Sequence, residues 1–188
     1  MSYRAVTWDW AQHPARFAQP APRGQDWWLG RRIEPGTEPP TFALQPLDAT
    51  SPNQSAEVPY LFGRSCPLVT RVFAEALLAF GVDHVQVLPV RLVDGEHEIP
   101  GFVGLNVLGL VHAADLDASV YQDFAGGPVL DVAFSSLVLD PARAHGLPLF
   151  RLAEDPSHLW LHDALRIHLI AAGFDRLAWW KPSQIGSP

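Results

Sequence analysis

Three features of the sequence predict an α+β fold, a single domain with a mostly antiparallel sheet and two principal helices. Ten of the eighteen prolines fall within the first 67 residues, so helices are excluded there and strands must be short. Two later segments carry apolar residues at helical spacing, and each ends at a glycine, Gly81 or Gly173. Around them run short stretches rich in Val, Leu and Phe, separated by turn residues. At 188 residues and 48% hydrophobic content, one core suffices, burying roughly 70% of the unfolded surface.

Taken in order, Tyr3 to Trp10 reads as a strand with Trp8 and Trp10 on one side. Trp27 to Ile33 reads as a second, after the turn-like Arg23-Gly24-Gln25-Asp26. Residues 34–64, dominated by Pro, Thr, Ser, Asn and Gln, are too polar and broken for regular structure and form an irregular loop. The first helix begins at Ser65 as N-cap, with Pro67 in its first turn, and ends before Gly81. Leu68, Val69, Val72, Phe73, Ala76, Leu77 and Phe80 give it one apolar face, with Arg71 and Glu75 an i,i+4 pair on the other.

His84 to Val93 and Phe102 to Ala113 are apolar enough for interior strands, joined through the hairpin dipeptide Asp94-Gly95. A strand at Val129 to Leu139 follows the Gly126-Gly127-Pro128 breaker, and Leu147 to Leu152 follows a short helical turn at Pro141 to His145. The tail permits a helix from Pro156 behind Asp155, or a strand Leu159 to Leu161 and then a helix from Asp163 to Ala172. The second parsing is preferred, because Trp160 between leucines fits a buried strand. A final strand at Arg176 to Trp180 buries Leu177 and one of Trp179 and Trp180. Six of the seven tryptophans lie near the two ends, so the termini are expected to meet as an aromatic layer.

Charge narrows the function. Between Arg91 and Arg143 stand eight carboxylates, Asp94, Glu96, Glu98, Asp115, Asp117, Asp123, Asp131 and Asp140, without a lysine or arginine among them. The chain carries a net −7, divided as +1 up to Arg71 and −8 beyond it. A folded acidic surface attracts basic proteins and repels phosphate, so direct nucleic-acid binding is not expected. The most apolar run, Gly101 to Ala114, falls short of the roughly 20 residues a membrane helix needs. The lone Cys66 and the lack of a leader-like opening point to a cytoplasmic protein.

Catalytic patterns are weak. His158 and His162 have the four-residue spacing of a zinc-binding helix, but Leu159 stands where a metalloprotease carries its general-base Glu. A metal-dependent hydrolase using them, with His168 and Asp163 nearby, is kept as the alternative. Cys66 would gain reactivity only from a helix N-terminus. Ser119, Ser135 and Ser136 lack a nucleophile elbow, and the glycines build no phosphate loop. Glu96 with Glu98, and Asp115 with Asp117, could pair as acid and base, though a solvated hairpin tip and a strand-ending turn explain them more simply. No metal or cofactor is expected.

The order of segments carries a resemblance. DWWLGRR at 26–32, the helix closed by Gly81-Val82, VQVLPVRL at 85–92, LNVLGLVHAADLDAS at 105–119 and GLPLFRL at 146–152 precede a last helix. This succession resembles the eleventh class of bacterial polymorphic-toxin immunity proteins, formerly a domain of unknown function, over about residues 26–180; residues 1–25 match no part of it. Asn106-Val107, Asp115 to Ser119 and Leu149-Phe150-Arg151 carry most of the likeness. The resemblance implies a cytoplasmic antidote that neutralises a cognate toxin domain, often a nuclease, by binding it. Carboxylates Asp94, Glu96, Glu98, Asp115, Asp117 and Asp123 would then steer the basic partner, and an exposed tryptophan, Trp28 for preference, would anchor it. A chaperone or adaptor that escorts the toxin is a further alternative, and surplus apolar surface would equally serve a homodimer.

Overall fold

A computed structural model describes residues 2–19, 27, 29–34, 36, 38–46, 55–62, 68–123 and 132–185. The chain begins with strands β1 (Tyr3–Trp8), β2 (Ala18–Gln19), β3 (Thr41–Leu44) and β4 (Leu68–Thr70), then helix α1 (Arg71–Phe80). Strands β5 (Val85–Pro89), β6 (Arg91–Asp94), β7 (His97–Ile99), β8 (Phe102–Val107), β9 (Val120–Asp123), β10 (Val132–Ser136) and β11 (Leu149–Phe150) follow. The last part holds β12 (Leu159–His162), helix α2 (Asp163–Ala171), β13 (Leu177–Trp180) and a 3-10 turn at Pro182–Gln184. This is the expected α+β class; among the described strand pairs, β3 with β6 is the parallel one. No described helix is long and apolar enough to cross a membrane.

One sheet, ordered β11-β12-β1-β13, separates two packed clusters. Because side chains alternate along a strand, Tyr3 and Ala5 face one cluster while Val6 faces the other. Strand β12 divides in the same way, Leu159 and Leu161 to one side and Trp160 to the other. The first cluster also takes Phe73, Leu77, Leu165 and Leu169, the inner faces of both helices, together with Leu105 and Val107 of β8. Under the second lie Val132 and Phe134 of β10, Leu137 and Phe150. A third cluster, built on Trp27, Phe42, Leu44, Leu88 and Leu92, supports a second sheet ordered β2-β3-β6-β7.

Several expectations hold. The tail adopts the strand-then-helix parsing, with His162 as N-cap of α2 and Gly173 just beyond its end at φ 92°. Gly81, at φ 101°, closes α1. Ala5 stands opposite Trp180 and Trp8 opposite Leu177, so the N-terminal strand does lie against the last one. Trp8 packs edge-on against Tyr60, at 4.8 Å between ring centroids. Trp27 does not join that layer and belongs to the third cluster.

Four expectations fail, each for a physical reason. Helix α1 starts at Arg71, not at Ser65: Leu68–Thr70 pairs with β8, and Leu68 and Val69 bury in different clusters. Its cap is Thr70, whose hydroxyl accepts from the Phe73 N–H at 3.3 Å. Ser65, Cys66 and Pro67 lie outside the described residues. The loop expected over 34–64 contains β3, because Phe42 and Leu44 alternate inward beside β6. The strand expected from His84 to Val93 is two, since the chain changes sheet at Val90; β5 pairs with β8, and β6 pairs with β3 and β7.

The strand expected over Trp27–Ile33 is absent among its described residues, for its main chain is held by one isolated bond from the Gly109 N–H to the Gly30 carbonyl and otherwise by side chains. Gln86 both accepts from the Ile33 N–H (2.9 Å) and donates to the Ile33 carbonyl (3.0 Å). Asn106, fully buried, donates to the Arg31 carbonyl and to Gln86 at 2.8 Å each. Two amides thus do the work of a strand edge. This arrangement seats the buried Trp27 ring on β8, where a Cβ on Gly104 would lie 2.5 Å from the ring. Gly104→Ala is therefore expected to destabilise the protein by about 1–3 kcal/mol, through overpacking against the buried Trp27 ring. Urea unfolding checks this, and an unchanged midpoint would mean that Trp27 does not pack there.

Candidate functional site

The structure divides the eight-carboxylate block between two places. Asp94, Glu96 and Glu98 belong to the β6–β7 hairpin on the third cluster, with Asp94 opposite His97 and Gly95 at φ 59° in the turn. Asp115, Asp117 and Asp123 belong to the turn and strand leading into the β9–β10 ribbon, which covers the second cluster. They form two patches on different sheets, not one continuous acidic face. Asp131 lies outside the described residues.

Nor is the block uncompensated, contrary to the sequence expectation. Arg16, 7% exposed, holds Asp94 at 2.5 Å and also donates to the Gln45 carbonyl at 2.7 and 3.1 Å. The bond from Arg16 keeps the Asp94 carboxyl below the ordinary carboxylate range, with the charges of Arg16 and His97 adding to it. Arg91 holds Glu98 at 2.9 Å, and Arg143 holds Asp140 at 3.2 Å. These cations stand outside or at the ends of the acidic run in sequence, where charge counting misses them. Of the hairpin carboxylates only Glu96, exposed beside the turn, has no cationic partner among the described residues.

The ribbon turn is built differently. Asp115 accepts from the Ala118 N–H at 3.1 Å, so it ends the preceding segment by local turn chemistry, as expected. Ser119 donates to the Asp115 carbonyl (2.5 Å) and accepts from the Val138 N–H (2.9 Å), tying the turn to the chain beyond β10. Asp115 and the exposed Asp117 have no cationic partner among the described residues. Beside them Val120 is 61% exposed, Val138 38% and Tyr121 38%, the tyrosine ring resting 6.0 Å from Phe134. Asp123 closes β9.

This pairing of exposed apolar side chains with free carboxylates is the feature the sequence reading missed. Val120–Asp123 falls in none of the elements the sequence predicts, although the alternation Val-Tyr-Gln-Asp after a capped turn is a short strand signal. The tryptophan preferred as anchor, Trp28, lies outside the described residues. Among those described, Trp180 at the end of β13 is 43% exposed.

The histidine pair does not form a common site. His162 caps α2 by accepting from the Ala164 N–H at 3.2 Å, and His158 precedes the strand, 3.4 Å from Asp155 and 2.9 Å from Ser157. They share no helix, because β12 lies between them. Burial raises the Asp155 carboxyl, but hydrogen bonds from His158 and Ser157 outweigh it and leave the group below its ordinary range. Among the described residues no three His, Cys, Asp or Glu side chains gather as metal ligands. Asp155, Ser157 and His158 form a local turn network, with the serine hydroxyl donating to the aspartate at 2.5 Å.

No known family model matches the chain, and no curated protein sequence matches it either.

The Arg16–Asp94 pair has a defined pH signature. A depressed folded pKa means that the pair's stabilisation is fully present above the unfolded aspartate value of about 3.9 and lost as pH falls through the lower folded value. Asp94→Asn is expected to lower the urea midpoint at pH ~5, the gap to the parent protein closing towards pH ~2. A gap independent of pH would show that the ion pair is not its source.

Proposed function

We propose that this chain is an immunity protein of the polymorphic-toxin kind, acting in the bacterial cytoplasm by binding and neutralising a basic toxin domain, with a nuclease as the expected toxin. The observation that carries the proposal is the ribbon surface, where Val120 and Val138 stand exposed beside the turn that holds Asp115 and Asp117, with the half-exposed Tyr121 leaning on Phe134 at the inner face. An apolar centre with charged surroundings is how protein interfaces are composed: the anchors set the lifetime of the complex and the charges set its rate of formation. The segment order that resembles the eleventh immunity class supports the same reading, since its Asp115 to Ser119 stretch is the turn that presents this surface.

The roles are narrower than the sequence suggested. Asp94 and Glu98 already serve Arg16 and Arg91, so steering rests on Asp117, Asp115 and Glu96. Anchoring rests on Val120 and Val138.

The direct test is co-expression with the toxic domain that this reading expects to be encoded beside the gene. Growth is expected to be rescued, and unaltered killing would sink the proposal. A chaperone would bind the same partner and leave it toxic, while a metal-dependent hydrolase would purify with stoichiometric metal that is lost on replacing His162. In the purified pair, Asp117→Lys is expected to slow association several-fold at low salt and to flatten its salt dependence. Val120→Asp is expected to speed dissociation by about tenfold or more, as a desolvated contact should. Stopped-flow rates separate the two effects.

A further inference from the structure

The two helices lie side by side and carry much of the apolar surface that the fold leaves open. They run antiparallel, because the His168 ring of α2 meets Phe80 near the end of α1 at 5.3 Å, while Phe174, just past α2, meets Phe73 near its start at 4.9 Å. His168 also ties them together through the Ala76 carbonyl, at 3.1 Å from Nε2. On the outer side Val72 is 65% exposed, Leu78 47%, Ile167 60% and Ile170 40%. That is more open apolar surface than the ribbon presents.

Charge is nearly absent from this layer. Beyond Asp163 and Arg166, which hold each other at 3.0 Å, the outer residues of α2 are alanines and isoleucines. The charges of α1 are Arg71 and Glu75, both exposed. The i,i+4 pair that the sequence predicts for them does not form, and neither has a partner among the described residues. Arginine ahead of glutamate is the poorer order for such a pair, and an arginine in the first turn opposes the helix dipole. Neither side chain serves its own helix.

We propose that this face is where two copies of the chain meet, about a two-fold axis that sets α1 antiparallel to its counterpart and brings Arg71 of each copy onto Glu75 of the other. Antiparallel pairing centred between positions 71 and 75 makes both contacts at once, and covers Val72, the most exposed apolar side chain of the layer, beside the axis. A patch with one unanswered cation and one unanswered anion is its own complement. In a chain of net charge −7, identical copies meet there without repulsion. The helices and the ribbon pack on opposite faces of the sheet, so such a dimer leaves the ribbon open and the inference does not rest on the immunity reading.

Sedimentation of the full chain from micromolar to millimolar concentration tests it, and a monomer–dimer equilibrium is expected. Arg71→Glu and Glu75→Arg, both on the exposed side of α1, are each expected to weaken self-association by about tenfold or more, because like charges then face each other across the axis. Mixed in equal amounts, the two variants are expected to form a heterodimer as readily as the parent forms its dimer, since each offers the sign that the other lacks. Variants that had merely lost their fold would not recover on mixing. A parent chain that stays monomeric throughout, or a dimer that both reversals leave unchanged, overturns the inference. Failure of the mixed variants to associate overturns the Arg71–Glu75 contact that defines it.

Discussion

Strand β1 is bonded along both edges, to β12 on one side and β13 on the other, and everything packed against that sheet depends on its being in place. Val6 and Leu159, paired across it, are 153 residues apart in the chain. The entropy of closing so long a loop grows only slowly with length, but it must be met before the pairing returns anything. The return comes on two faces at once. Tyr3 and Ala5 complete the cluster under the ribbon, while Val6 completes the cluster that receives both helices. The ribbon and the helix layer therefore pack on opposite faces of one four-stranded sheet whose inner strand is the N-terminal one.

What could be read from the residues alone follows from this arrangement. Elements whose signal is local were legible: Gly81 and Gly173 mark helix ends because only their left-handed backbone fits there, and Asp94-Gly95 marks a hairpin for the same reason. The Leu-Trp-Leu of β12 was legible too, since each alternate residue has a core to enter. Elements defined by distant partners were not. Leu68 and Val69 suit a helix face as well as a strand, and only β8 decides between them. Trp27–Ile33 looked like a strand because its residues would suit one, yet most of its hydrogen bonds come from the side chains of Gln86 and Asn106, with one main-chain bond from the Gly109 N–H to the Gly30 carbonyl.

The same distinction applies to the candidate surface. Charge density along the chain overstated how much of the acidic segment stands unanswered, because Arg16 reaches Asp94 across 78 positions and Arg91 pairs with Glu98. Free carboxylates are those that folding leaves unanswered, and sequence cannot count them. The exposed valines were invisible for a related reason. Val120 and Val138 resemble core residues in composition, and only the one-sided covering of a two-stranded ribbon turns them outward.

The β6–β7 hairpin has a consequence of its own. Its inner face is fastened by Leu92 in the third cluster and Arg16 holds Asp94 directly beside the turn, whose Gly95 and Glu96 are exposed. The ribbon rests on a different cluster altogether. A fluorophore or affinity handle grafted at that tip would thus ride on a hairpin held by a cluster other than the one beneath the acidic ribbon.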